Sequence, residues 1–145
     1  MCNKCKGETR NKIIVLSDMG TSTQLSVENK EELDTHHMLI DGCVIVSGER
    51  CDHYLKITHE LKSSHLFVEL KGSDVEKAVN QIVTTIKSGA VPMNRNEKKY
   101  GAIVSTRNPL NSTETSRLKK KMLMAEKLSL HFYKMKAVDK ITSFT

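Results

Sequence analysis

With 145 residues, 38% hydrophobic and 28% charged side chains, the chain can build one packed domain but not two. No apolar run approaches the ~20 residues a membrane span needs, and the first residues lack the apolar segment of a secretory signal, so a cytoplasmic protein is expected. The net charge of +6 and a pI near 9.2 are compatible with a polyanionic partner, chiefly nucleic acid.

Taken in order, residues 1–11 are polar and expected to be loose. Residues 12–16 read as a strand and 23–27 as its partner, with 18–21 turning between them. A charged connection at 29–34 leads to a strand region at 38–46, bent at Asp41 and Gly42. Residues 50–57 and 66–72 both alternate apolar and polar side chains, and the polar stretch 59–64 joins them as a hairpin loop. The period then changes. Ser73 and Glu76 form a capping box, and Val75, Ala78, Val79, Ile82, Val83 and Ile86 recur at helical spacing until Ser88, Gly89 and Pro92 end the helix. A loop to Lys99, a strand at 100–107 parallel to the second hairpin arm, a helix at 115–128 and a last edge strand at 131–141 complete the chain. In that last helix, Leu118, Met122, Ala125 and Leu128 are expected to face inward. The class is α/β: one mixed central sheet flanked by helices, with extra strands at the N-terminus and the whole chain 1–145 as a single domain.

The hairpin carries the chemistry. Leu55 and Ile57 share one face with Leu66, Val68 and Leu70, which leaves Asp52, Glu69 and Lys71 on the other. Folding about the middle of the loop sets Asp52 beside Lys71 and diagonal to Glu69. Two carboxylates can hold Mg²⁺ or Mn²⁺, which keeps water and phosphate oxygens in its shell. The Leu70 carbonyl can add an oxygen, and Asp41 is either a further acid or a turn former. Such a cation neutralises a phosphodiester and acidifies a water, and Lys71 would stabilise developing charge.

An aspartate, a hairpin, Glu69-Leu70-Lys71, a helix and a strand in this order resemble the PD-(D/E)XK nuclease superfamily, which includes restriction endonucleases, Holliday-junction resolvases and RecB-type nucleases. The resemblance covers 38–107. It implies a restriction-endonuclease-like core (βββαβ, here followed by a helix and a strand). It also implies Asp52 and Glu69 as metal ligands, Lys71 as assistant to the nucleophile, and Gln81 in the place of the helix glutamine of RecB-like members. Thr85 stands where those members often carry tyrosine. Cysteine rather than proline precedes Asp52, and only Glu31, Glu32 or Asp34 could replace the acid that many members carry on an earlier helix.

The expected function is therefore metal-dependent hydrolysis of DNA, with RNA second, by a homo-oligomer or a complex subunit and without an organic cofactor. Its alternative is an inactive nucleic-acid-binding or assembly subunit of the same fold. Lys98, Lys99 and Arg107 bracket the strand after the motif as phosphate contacts, with Arg117, Lys119 and Lys120 as a second track on the last helix. Cys2, Cys5, Cys43 and Cys51 could form a zinc site, but reduced thiols are expected. Apart from the adjacent pair His36-His37 the six histidines show no ligand spacing, and they receive no catalytic role.

Overall fold

The computed structural model describes residues 6–18, 22–43, 47–48, 50–70, 74–106 and 112–145. Among the described residues nine strands form two sheets. In chain order they are β1 (Lys6–Thr9), β2 (Ile13–Ser17), β3 (Gln24–Glu28), β4 (Asp34–Leu39), β5 (His53–His59), β6 (Lys62–Leu70), β7 (Lys98–Ser105), β8 (Leu128–Lys134) and β9 (Lys136–Lys140). Helix α1 (Val75–Lys87) joins β6 to β7, α2 (Ser112–Glu126) joins β7 to β8, and a 3-10 turn at Ile141–Phe144 ends the chain. The larger sheet runs β1-β4-β5-β6-β7-β8. Its pairs are antiparallel up to β6, whereas β6–β7 and β7–β8 are parallel. The smaller sheet, β2-β3-β9, combines an antiparallel and a parallel pair.

The architecture is thus α/β with a mixed sheet and the expected parallel return after α1, but it has more strands than expected. Residues 6–9 form a strand, and the charged connection gives way to β4 at Asp34. The expected last strand at 131–141 is two strands. Met135 takes a positive φ of 57° between them, which sends β8 into one sheet and β9 into the other. The second helix ends at Glu126, so Leu128 lies buried on β8 while Ala125 is exposed.

The hairpin differs from expectation in two ways. Its turn is only Glu60 and Leu61, both at positive φ, the signature of a type I′ turn whose twist matches the strands it joins. The shorter turn moves the register by two residues: His53 faces Val68, and Asp52 therefore faces Glu69 rather than Lys71. Lys71 itself lies outside the described residues, as do Arg107, Ser73 and residues 44–46. A shift of two leaves each side chain on its own face.

Both faces of the larger sheet are covered. Leu55, Ile57, Leu66, Val68 and Leu70 pack against Leu16, Leu25, Val27 and Phe144 of the small sheet and the final turn. On the other side Tyr54, Phe67 and Ile103 pack against Val75, Ala78, Val79 and Ile82 of α1 and Leu118 and Met122 of α2. Double-sided burial is why β6 is buried from Ser64 to Leu70, and why the Asp52–Glu69 face is a covered one. Gly101 permits the close approach of α1: a Cβ there would lie 2.9 Å from Leu130 Cδ2 and 3.3 Å from Ile82 Cδ1. The cap of α1 is Asp74, which accepts from the Lys77 amide at 3.1 Å, in place of the expected Ser73–Glu76 box. Gly89, at φ +75°, follows the helix end as expected.

Candidate metal centre

Asp52 enters the hairpin one residue before β5, held by backbone bonds on both sides. Its amide donates to Val68 O at 3.0 Å, and its carbonyl accepts from the Ile40 amide at 2.9 Å. Its side-chain Oδ2 accepts from the Leu70 amide at 2.7 Å. Cys51, just before it, donates its amide to Thr85 Oγ1 on α1 at 2.8 Å. Thr85 in turn donates to Gln81 O at 2.8 Å, so one buried threonine ties the helix to the segment that carries the aspartate. The backbone around Asp52 is thereby fixed from the strand and from the helix.

Glu69, across the ladder, is 6% exposed and Asp52 5%. The two carboxyl groups share a hydrogen bond, and Glu69 Oε2 finds no hydrogen-bond partner among the described residues. Two acceptors facing each other in a desolvated site need a proton or a cation between them. Glu69 is the acid that this site drives furthest towards its neutral form. Burial first, then the bond to Asp52 and the charges of Asp52, Asp41 and Asp18, push its pKa up to about 10. Asp52 is also raised by burial, but its bonds to Glu69 and to the Leu70 amide act the other way.

Two residues that sequence reasoning passed over border this pair. Asp18, just after β2, accepts from or shares a proton with His53 Nε2 at 2.9 Å, and His53 Nδ1 meets His37 Nε2 at 2.9 Å. The chain Asp18–His53–His37 lies on the small-sheet side, since His53 alternates with Leu55 and Ile57. Burial and the neighbouring imidazole pull the His37 pKa down to about 4. The available signal was His53 itself, a polar residue in phase with the buried apolar face. Asp18 resembled a turn residue, and only the packing of the two sheets brings it near.

The other expected residues are scattered. Asp41 is exposed and pairs with Arg50 Nε at 2.7 Å, although its charge still reaches Glu69. Gln81 is half-buried on α1. Glu31 and Glu32 are exposed, and Asp34 pairs with Arg10. Lys98 and Lys99 begin β7 opposite Ser64 and His65, five residues of strand from the Ile103–Glu69 pair. They sit at the far end of the sheet, about 15 Å from the acids at ~3.3 Å per residue, and do not bracket them. Arg117, Lys119 and Lys120 are exposed on α2, with Lys119 Nζ 5.9 Å from the Phe132 ring centroid.

Near that far end, Tyr54 donates to His65 Nδ1 at 2.6 Å and His65 Nε2 donates to Glu97 Oε1 at 2.9 Å. His65 is fully buried, and its three groups are mutually satisfied, which is how a core tolerates them. Of the cysteines, Cys51 is a buried free thiol whose pKa burial raises. Cys43 is disulfide-bonded, against the expectation of reduced thiols throughout. Cys2 and Cys5 lie outside the described residues.

Whether Asp52 and Glu69 suit a divalent ion turns on their donor set. No group of three or more His, Cys, Asp or Glu side chains suited to a metal forms among the described residues. A pair of carboxylates with one oxygen lacking a partner does fit Mg²⁺ or Mn²⁺, which bind few carboxylates and keep several waters. No helix among the described residues is long and apolar enough to cross a membrane. No family model, no curated protein and no solved structure matches the chain.

Proposed function

We propose that this chain is a divalent-metal-dependent nuclease of PD-(D/E)XK type, cleaving phosphodiesters of DNA in preference to RNA. The observation that carries the reading is the Asp52–Glu69 pair: two buried carboxyls in contact, one of them with an oxygen that has no partner. The order β4-β5-β6-α1-β7, with β7 parallel to β6, supports a restriction-endonuclease-like core around it. Asp52, Glu69 and the Leu70 carbonyl would hold the ion. A divalent cation bound there supplies neutralisation of the phosphate and an acidified water for attack.

The chain's own residues prepare that chemistry. The Leu70 amide and the Cys51–Thr85 bond hold Asp52 in place before any ligand arrives, and such preorganisation lowers the reorganisation needed at reaction. Glu69 would have to release its proton for the pair to hold a cation. Lys71, two residues on, aids the nucleophile. α1 and α2 follow the C-terminal ends of the parallel strands β6 and β7, so their N-termini add partial positive charge at this end of the sheet. Arg117, Lys119 and Lys120 on α2 contribute phosphate contacts along the backbone of the substrate, and action in the cytoplasm accords with this reading.

The test is incubation of the protein with end-labelled single- and double-stranded DNA in Mg²⁺ or Mn²⁺. Cleavage that chelator abolishes, and that Glu69→Ala and Lys71→Ala both lose, is the expected result. One observation favours a second reading, an inactive nucleic-acid-binding or assembly subunit: the described residues form no three-ligand group. Salt-sensitive DNA binding with no cleavage in either metal would establish that reading and overturn the first.

A further inference from the structure

Among the described residues four strands stand at the edges of the two sheets: β1, β8, β2 and β9. Exposed edges invite pairing with another chain, and proteins blunt them with charge, brevity or cover. β1 is four residues long and carries Lys6 and Glu8. β9 carries Lys136, Asp139 and Lys140, and β8 lies under α2 with Phe132, Leu128 and Leu130 in that core. β2, Ile13-Ile14-Val15-Leu16-Ser17, has no charge, no proline and no partner beyond β3 among the described residues. Ile13 is 58% exposed and Val15 51%.

The hydrogen-bond phase of β2 says which backbone groups face outward. Asn29 donates to Lys12 O at 2.7 Å, and the β2–β3 register continues to put Asn29 opposite Lys12. Bonded pairs alternate in an antiparallel ladder, so Lys12, Ile14 and Leu16 direct their N–H and C=O groups towards β3. Ile13, Val15 and Ser17 direct theirs to the open edge.

We propose that β2 pairs antiparallel with β2 of a second copy, about a two-fold axis through Val15, so that two three-stranded sheets become one. In that register Val15 faces Val15 of the second copy, and Ile13 faces Ser17. Every outward-directed amide and carbonyl of the strand then meets its complement. A symmetric interface must be self-complementary, and the charges satisfy this too. One residue beyond the strand at either end, Lys12 of one copy comes opposite Asp18 of the other, twice by symmetry. Asp18 already holds His53 at 2.9 Å and its charge is felt at Asp52 and Glu69, so the second copy's Lys12 would join the electrostatic surroundings of the candidate metal centre. A five-residue edge buries less surface than the ~1,200 Å² of a stable standard interface, so the dimer forms in a concentration-dependent way.

The experiment is sedimentation equilibrium of the full chain in chelator, where neither outcome bears on nuclease activity. Wild type is expected to pass from monomer to dimer below ~1 mM. Val15→Lys places a charge on the axis, and Val15→Pro removes an outward donor without touching a β2–β3 bond. Both are expected to remain monomeric, each checked for unchanged circular dichroism. Lys12→Glu is expected to weaken the dimer severalfold, whereas Lys62→Glu, at the hairpin turn, leaves it unchanged. A wild type that stays monomeric, or a dimer that persists in folded Val15→Lys, overturns the proposal.

Discussion

Asp52 and Glu69 lie directly opposite one another where β5 and β6 begin and end, and the Leu70 amide is what turns Asp52 towards its neighbour. Each carboxyl would be unremarkable alone. Together, buried under α1, they repel one another unless one of them is neutral or a positive charge lies between them.

Isosteric amides separate the chemistry from the packing. Asp52→Asn and Glu69→Gln are each expected to lower metal-dependent DNA cleavage at least ~100-fold. Glu69→Gln should retain or raise the thermal midpoint in chelator, because burial and the neighbouring Asp52 drive the native side chain towards its neutral form. The paired readouts are a cleavage assay and a melting curve.

The same shift makes stability depend on pH. Burial and the neighbouring acids push the folded Glu69 pKa up to about 10, from an ordinary carboxyl value of 4.5. Between those values the folded protein binds a proton that the unfolded chain has released, so stability falls as pH rises through that window. The expected result in chelator is a midpoint that declines from pH 5 to 10, with a flatter profile in Glu69→Gln. If the pair binds Mg²⁺ as proposed, added Mg²⁺ should stabilise more strongly at the alkaline end, where less proton has to be displaced.

Thr85 is a positioning residue. Thr85→Val keeps the volume but leaves the buried Cys51 amide without its acceptor, at about 1–3 kcal/mol. Chemical denaturation measures that loss. Cleavage should fall as well, since Cys51 precedes Asp52, and Thr85→Ser should restore both.

The basic residues should divide by position. Lys98→Ala and Lys99→Ala, at the end of the sheet remote from the acids, are expected to change cleavage by less than about twofold. Arg117→Ala with Lys120→Ala should weaken DNA binding and reduce the slope of log affinity against log salt by about two. Fluorescence anisotropy across a salt series reads both.

Gly101 reports on the packing of β7 against α1 and the Leu130 side chain of β8. Gly101→Val drives a branched side chain into Leu130 and Ile82, and overpacking of this kind is expected to destabilise by about 1–3 kcal/mol. Gly101→Ala should cost less, because the Leu130 end atom it meets can move. Thermal melts of the two variants give the order.

Local pattern was enough to find the two arms of the hairpin, the face each side chain occupies, and α1 with its stripe from Val75 to Ile86. These follow from periods of 2 and 3.6, which neighbouring residues carry among themselves. It was also enough to put Asp52 and Glu69 on one face. It was not enough to put them opposite each other, because the register hangs on a turn of two residues at positive φ, where Glu60 and Leu61 carry no glycine or asparagine to announce it. Nor could alternation reveal that the other face of the sheet is covered by β2, β3 and β9, or that Asp18 and His53 meet across that contact. Which end of the sheet holds Lys98 and Lys99 depended on where β7 settles beside β6. Pairings between distant segments are chosen by how whole layers bury one another, and that choice leaves no mark on the short stretch where each residue stands.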